Sequence, residues 1–184
     1  MTVTLMRGSD LIGRAVVDVN TGDDLAEVKD VVFASGRGAV TGFTLRRRGF
    51  FGRRLKTVLP VNSVLSVGTD AVMVAGPDAI TDPDDRPDDM DTGTASDVLD
   101  DEVFTVSGRS LGTVRDVIIV GGPSPRVVGF EVGGGQVGNG LIPLGAQASL
   151  SGSALVVPDD FEQRIRNDLT GLAAELALIE TSTS

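Results

Sequence analysis

One pattern, G-x-x-L-x-x-V-[K/R]-D-V-[V/I], occurs twice in this chain, over residues 22–32 and again over residues 108–118. Its surroundings repeat with it. Ser9-Asp10-Leu11-Ile12 answers to Ser96-Asp97-Val98-Leu99 upstream; downstream, Gly42-Phe43 answers to Gly129-Phe130, Leu59-Pro60 to Ile142-Pro143, and residues 71–74 to residues 154–157. The chain is a duplicated module with a period of about 86 residues. Residues shared by both copies serve the fold, so function is sought among those found in one copy only.

With 184 residues, the period divides the chain into two small units. The expected division is a first unit over residues 1–78, an acidic linker rich in Pro and Asp over 79–95, a second unit over 96–158, and a C-terminal helix with a short polar tail over 159–184. Modules this small bury a modest share of their surface. They are expected to lean on each other, on the C-terminal helix, or on a second copy of the chain as a homodimer.

Runs rich in Val and Ile recur between Gly, Asn, Asp and Pro, with little that reads as helix before residue 159. Strands are predicted near 14–19, 25–34, 39–47, 55–60 and 71–75 in the first unit. In the second they are predicted near 102–106, 111–120, 126–132, 139–143 and 154–157. The fold class is mainly β, with two small antiparallel barrels in tandem, since closure removes exposed sheet edges. From Asp159 onward, Phe161, Ile165, Leu169, Leu172, Leu176 and Ile179 recur at helical spacing, predicting one amphipathic helix capped by Pro158 and the Asp159-Asp160 pair. It either packs over a barrel end or forms a seam with a dimer mate or partner.

The chain has no cysteine and no histidine, and its two lysines are Lys29 and Lys56. Disulfides, thiolate metal sites and cysteine nucleophiles are excluded, and the usual general base near neutral pH is missing. No cofactor or metal is expected. The aspartates of the linker do not place the glycine and glutamate of an EF-hand loop. Residues 133–138 match G-x-G-x-x-G, but a strand follows where a dinucleotide fold needs a helix N-terminus, so a glycine-rich hairpin is expected. The short start lacks a secretory signal and no apolar run is long enough to span a bilayer. The expected location is the cytoplasm, with the inner face of the membrane as an alternative.

Taken together, Ser9-Asp10-Leu11-Ile12-Gly13, the core over residues 22–32, Gly42-Phe43 and Val58-Leu59-Pro60 resemble the PRC-barrel family, and the second unit resembles it more loosely. That family comprises small β-barrels, among them the cytoplasmic domain of the photosynthetic reaction-centre H subunit and the C-terminal domain of a ribosome maturation factor. The resemblance covers nearly all of residues 5–158 and implies architecture and a binding role, not catalysis. The chain shows neither the membrane helix of the first relative nor the extra N-terminal domain of the second, so neither job carries over.

Lys29-Asp30 and Arg115-Asp116 recur at the same point of both repeats, which marks them as structural, with the aspartate accepting backbone hydrogen bonds. The informative difference lies further on. Where the second unit has the glycine-rich residues 133–140, the first has Arg46, Arg47, Arg48, Phe50, Phe51, Arg53, Arg54 and Lys56. Cations flanking two phenylalanines at a hairpin tip suit an anionic membrane surface. They also suit RNA, through phosphate contacts and base stacking, or an acidic groove on a protein partner. The expected function is a non-enzymatic adaptor that binds a protein partner or an anionic membrane through this hairpin. An RNA- or ribosome-associated role is the alternative, and an enzyme using Asp100, Asp101 and Glu102 ranks last.

Overall fold

The computed structural model describes residues 4–34, 38–46, 58–85, 87, 93–135, 138–144, 149–151 and 154–182. The first half contributes β1 (Leu5–Arg7), the short helix α1 (Gly8–Leu11), β2 (Ala15–Asp18), β3 (Asp24–Phe33), β4 (Val40–Arg46), β5 (Val58–Pro60), β6 (Val64–Val67) and β7 (Ala71–Val74). The second contributes β8 (Glu102–Thr105), β9 (Ser110–Val120), β10 (Arg126–Gly135), β11 (Gly138–Pro143), β12 (Ser149–Ser151), β13 (Ala154–Val157) and the helix α2 (Leu169–Ser182). Among the described residues, the strands form two sheets of matching order, β5-β4-β3-β2-β7-β6 and β11-β10-β9-β8-β13-β12, with β1 added to the second. The mainly β duplicated architecture follows the reading of the sequence. One detail departs from it, because β2–β7 and β8–β13 pair in parallel.

The repeated motif now has a physical account. Gly22 and Gly108 sit at φ +76 and +83, turning each chain between β2 and β3 and between β8 and β9; only glycine holds that conformation without strain. The three-residue spacing of valines is anomalous for a strand, whose faces alternate. A β-bulge resolves it. On β3, Val28 pairs with Leu45 and Asp30 with Thr44, so Lys29 is the extra residue; on β9, Asp116 pairs with Glu131 and Val114 with Val132, so Arg115 is. The bulge resets the phase, and Val28, Val31, Val114 and Val117 all reach the core.

It also turns Asp30 and Asp116 inward, to 9% and 8% exposure. Each accepts a hydrogen bond from the next backbone N–H, Val31 and Val117, both at 2.8 Å. The remaining capacity of each carboxylate is used by the other unit. Asp116 accepts the backbone N–H of Ser9 at 3.2 Å and its hydroxyl, while Asp30 accepts the hydroxyl of Ser96. The two repeated Ser-Asp pairs and the two repeated aspartates therefore lock to each other crosswise.

The backbone follows the same exchange. β1 pairs antiparallel with β9, Arg7 opposite Ile118, and Thr94, which stands where Arg7 stands in the first copy, bridges Val32. Gly93 accepts the N–H of Phe33 at 3.1 Å. Ala39 and Arg126, equivalent positions of the two copies, bridge each other, which puts a local twofold axis between them. One apolar cluster runs through both halves, from Met6, Leu11, Val28 and Phe43 to Val103, Val117, Phe130 and Leu155. Burial of that apolar area, at about 25 cal/mol per Å², holds the units as one body.

The C-terminal segment is organised differently from the single helix expected from residue 159. Asp159–Arg164 forms a 3-10 turn, and α2 begins only at Leu169. Asp159 is not its cap, because that carboxylate accepts the N–H and hydroxyl of Ser107 at 3.1 and 2.7 Å. Between turn and helix, Arg166 exchanges both backbone bonds with Leu141, at 2.7 and 2.9 Å, which holds the chain extended. Asp168 then caps the helix by accepting the N–H of Gly171 at 2.7 Å. Phe161 and Ile165 accordingly belong to the turn and the extended link, whereas Leu169, Leu172, Leu176 and Ile179 lie on α2. Leu172 is buried against Ile118, Val120, Val128 and Leu141, on the outer face of the second sheet.

Candidate functional site

The hairpin singled out in the sequence leaves the first sheet between β4 and β5. Of its residues, Arg46 is described; Arg47, Arg48, Phe50, Phe51, Arg53, Arg54 and Lys56 lie outside the described residues. The fold fixes where the hairpin departs. β4 starts beside Ala39 at the local twofold axis and ends at Arg46, opposite Glu27 near the start of β3. The units interlock at the other end of β3, around Asp30, Val32 and Phe33. The insertion thus departs opposite Glu27, three residues along β3 from Asp30, and returns at Val58, which is level with Asp30 across Thr44.

At that departure point, Arg46 Nε donates to Glu27 Oε2 at 2.7 Å, and its side chain is 56% exposed. Its guanidinium lies over the backbone of Gly13, since a Cβ built there would come 3.5 Å from Arg46 Nη2. Next to Gly13 is Ile12, an exposed apolar side chain. On the return side, Val58 pairs with Thr44 and is bridged on its outer edge by Thr81. A cation, an exposed isoleucine and a sheet edge therefore frame the base of the hairpin.

The corresponding place in the second unit is of different make. There β10 and β11 continue pairing to Gly135↔Gly138, and the side chain of Arg115 lies against Gly133 and Gly134. Arg115 pairs with Asp100 at 3.0 Å. The G-x-G-x-x-G match is a β-hairpin, followed by strand β11 and not by a helix, so it offers no helix N-terminus to a pyrophosphate. Asp100 is engaged by that ion pair, and Glu102 lies on β8 opposite Thr113 and Ala154.

Sequence reading missed the residues that join the units. Arg7 Nε donates to Glu131 Oε2 at 2.5 Å; this hydrogen bond, with the nearby carboxylates and against partial burial, raises the pKa of the guanidinium above its ordinary value. Within the first unit, Arg14 donates to the carbonyl of Gly68 at 2.6 Å. The signal available was the repetition of Ser9-Asp10 and Ser96-Asp97 alongside two buried-strand aspartates, which marked these six polar positions as structural without naming their partners.

Among the described residues, no helix is long and apolar enough to cross a membrane. Comparison with protein families gives two matches to the PRC-barrel domain, over residues 4–79 and 90–164. No curated protein matches the chain.

Proposed function

We propose that this chain, which belongs to the PRC-barrel family through both of its units, is a non-catalytic adaptor whose docking element is the hairpin over residues 46–56. The supporting observation is one of placement. The cation- and phenylalanine-rich insertion leaves the first sheet at Arg46, opposite Glu27, and returns at Val58, outside the β3–β4 pairing. The second unit, built on the same plan, has only glycine-rich sequence there. An element present in one copy only is where a binding role is added to a fold.

Its chemistry fits an anionic membrane surface. Phe50 and Phe51 supply apolar anchors, while Arg46, Arg47, Arg48, Arg53, Arg54 and Lys56 face lipid phosphates, each contributing about 1 kcal/mol near such a surface. The second unit and α2 leave room for a protein contact or a second copy of the chain.

Flotation of nuclease-treated protein with phosphatidylglycerol-containing and neutral vesicles tests the reading. Wild type should float with the anionic vesicles alone, and the double variant Phe50→Ser, Phe51→Ser should stay behind with unchanged thermal stability. No flotation of wild type moves the partner to an acidic protein surface; binding lost on nuclease treatment moves it to RNA. A large drop in stability of the double variant makes the phenylalanines core residues.

A further inference from the structure

The two copies treat one position differently. Asp100 stands where the first copy has Gly13, and both hold a left-handed backbone, at φ +67 and +85. Among the described residues, Asp100 is the one non-glycine residue in that region, which side chains bearing a Cβ rarely enter. Its carboxylate has a use there, accepting a hydrogen bond from Arg115 Nη1 at 3.0 Å. In the second unit a cation from the bulge of β9 is thus answered within the chain, by an anion from the turn before β8.

The first unit keeps cations at this place and has no side chain at Gly13 to answer them. Lys29 holds the bulge position of Arg115; it is exposed, and among the described residues no carboxylate pairs with it. Arg46 adds a second cation. Its Nε is held by Glu27, while Nη2 lies 3.5 Å from where a Cβ on Gly13 would stand, and no other atom of the described residues comes within 4 Å of that point. The Gly13 N–H donates to the Val28 carbonyl at 2.8 Å, as the Asp100 N–H does to Val114 at 2.8 Å, so the two places correspond in backbone pairing as well as in sequence. The region that the Asp100 side chain fills in the second unit is open in the first, with a guanidinium as one wall and Lys29 on the strand beside it.

We infer that Gly13, Lys29 and Arg46 form a binding site for one external oxyanion, the phosphate of a lipid headgroup, seated where Asp100 seats its carboxylate in the other unit. Arginine takes phosphate and carboxylate through the same fork of donors. With Glu27 counted, the three charged side chains carry a balance of +1, which one headgroup phosphate neutralises. The inference rests on the membrane reading of the adjoining hairpin and adds to it a defined seat for a single headgroup.

The test follows backbone amide shifts of the full chain by NMR during titration with glycerol 3-phosphate and, separately, acetate. Glycerol 3-phosphate should move the amides of Gly13 and Lys29 and saturate in the millimolar range, ahead of acetate. Lys29→Gln should weaken it about fivefold, the worth of one cation beside an anionic headgroup. Gly13→Asp supplies the anion internally, in a conformation that Asp100 already holds, and should abolish saturation while urea unfolding stays unchanged. Asp100→Gly should do the reverse, opening a second site seen as new shifts at Arg115 and Gly133. On phosphatidylglycerol vesicles, Gly13→Asp should bind about fivefold more weakly than wild type. No shift at Gly13 with glycerol 3-phosphate, or saturation unchanged in Gly13→Asp, overturns the inference; so does a preference for acetate, which assigns the site to a protein carboxylate. Vesicle binding lost in Phe50→Ser, Phe51→Ser but unchanged in Gly13→Asp overturns the site and upholds the hairpin. Phosphate binding at Gly13 without vesicle binding upholds the oxyanion site, assigns it to soluble phosphates and overturns the membrane reading.

Discussion

Replacing Asp116 by Ala strikes the crosswise lock at its better-bonded half. Three hydrogen bonds end on this carboxylate, from the N–H of Val117 at 2.8 Å, the N–H of Ser9 at 3.2 Å and the Ser9 hydroxyl. Ser9 is exposed, so its two donors regain water and each lost bond costs about 1 kcal/mol. Val117 is fully buried, and stranding its N–H costs about 2 kcal/mol more. The expected loss is about 4 kcal/mol, a large part of a typical domain's stability. Asp30→Ala removes two bonds, from Val31 and Ser96, and should cost about 3 kcal/mol. Urea unfolding followed by circular dichroism measures both, and Ser9→Ala completes a double-mutant cycle with an expected coupling of about 1 kcal/mol. Wild type should unfold in a single transition, since one apolar cluster spans both halves. Additive Ser9 and Asp116 effects, or a wild-type curve with two steps, would refute the interlock.

Two further outcomes are expected. Gly38 lies beside the twofold axis at φ +64, where a Cβ would come 2.4 Å from the carbonyl oxygen of Val127, whereas Gly22, at φ +76, has nothing within 4 Å of that position. Gly38→Ala should therefore cost about 3 kcal/mol in urea unfolding and Gly22→Ala about 1, the latter from backbone conformation alone. Asp97 accepts the Thr94 N–H at 2.7 Å and its hydroxyl at 2.9 Å, and these bonds hold its carboxyl below the usual range, the backbone bond contributing most. A folded pKa below the unfolded one gives stability that is full above the ordinary carboxyl value of about 4 and is lost as pH falls through the folded value. Acid titration of Asp97→Asn should show a shallower loss than wild type over that interval; parallel curves would remove Asp97 from the account.

The sequence carried the repeat, and the repeat carried most of the strands, because valines and glycines recur at matched positions. It could not show β1, β6 or β12. Leu5–Arg7, Val64–Val67 and Ser149–Ser151 are too short for alternation to stand out from chance. The crosswise pairing was hidden for another reason: Ser9 finds Asp116 through the twofold relation between units, not through anything near it in the chain. The helix start was misplaced because Asp159-Asp160 has the composition of a cap, yet Ser107 claims Asp159, and the bridge of Arg166 to Leu141 delays helical geometry to Asp168. The cationic hairpin was legible by difference, as a stretch between matched strands where the copies disagree in chemistry.

The exchange of opening segments has an evolutionary consequence. Each copy lends its first residues to the other and borrows a seat in return, so losing either copy would leave the survivor with an orphaned arm and an empty groove. One copy alone could fill its groove and seat its arm only by pairing with a second copy of itself, whereas the stretch over residues 46–56 and its counterpart over 133–140, which take no part in the exchange, differ in chemistry.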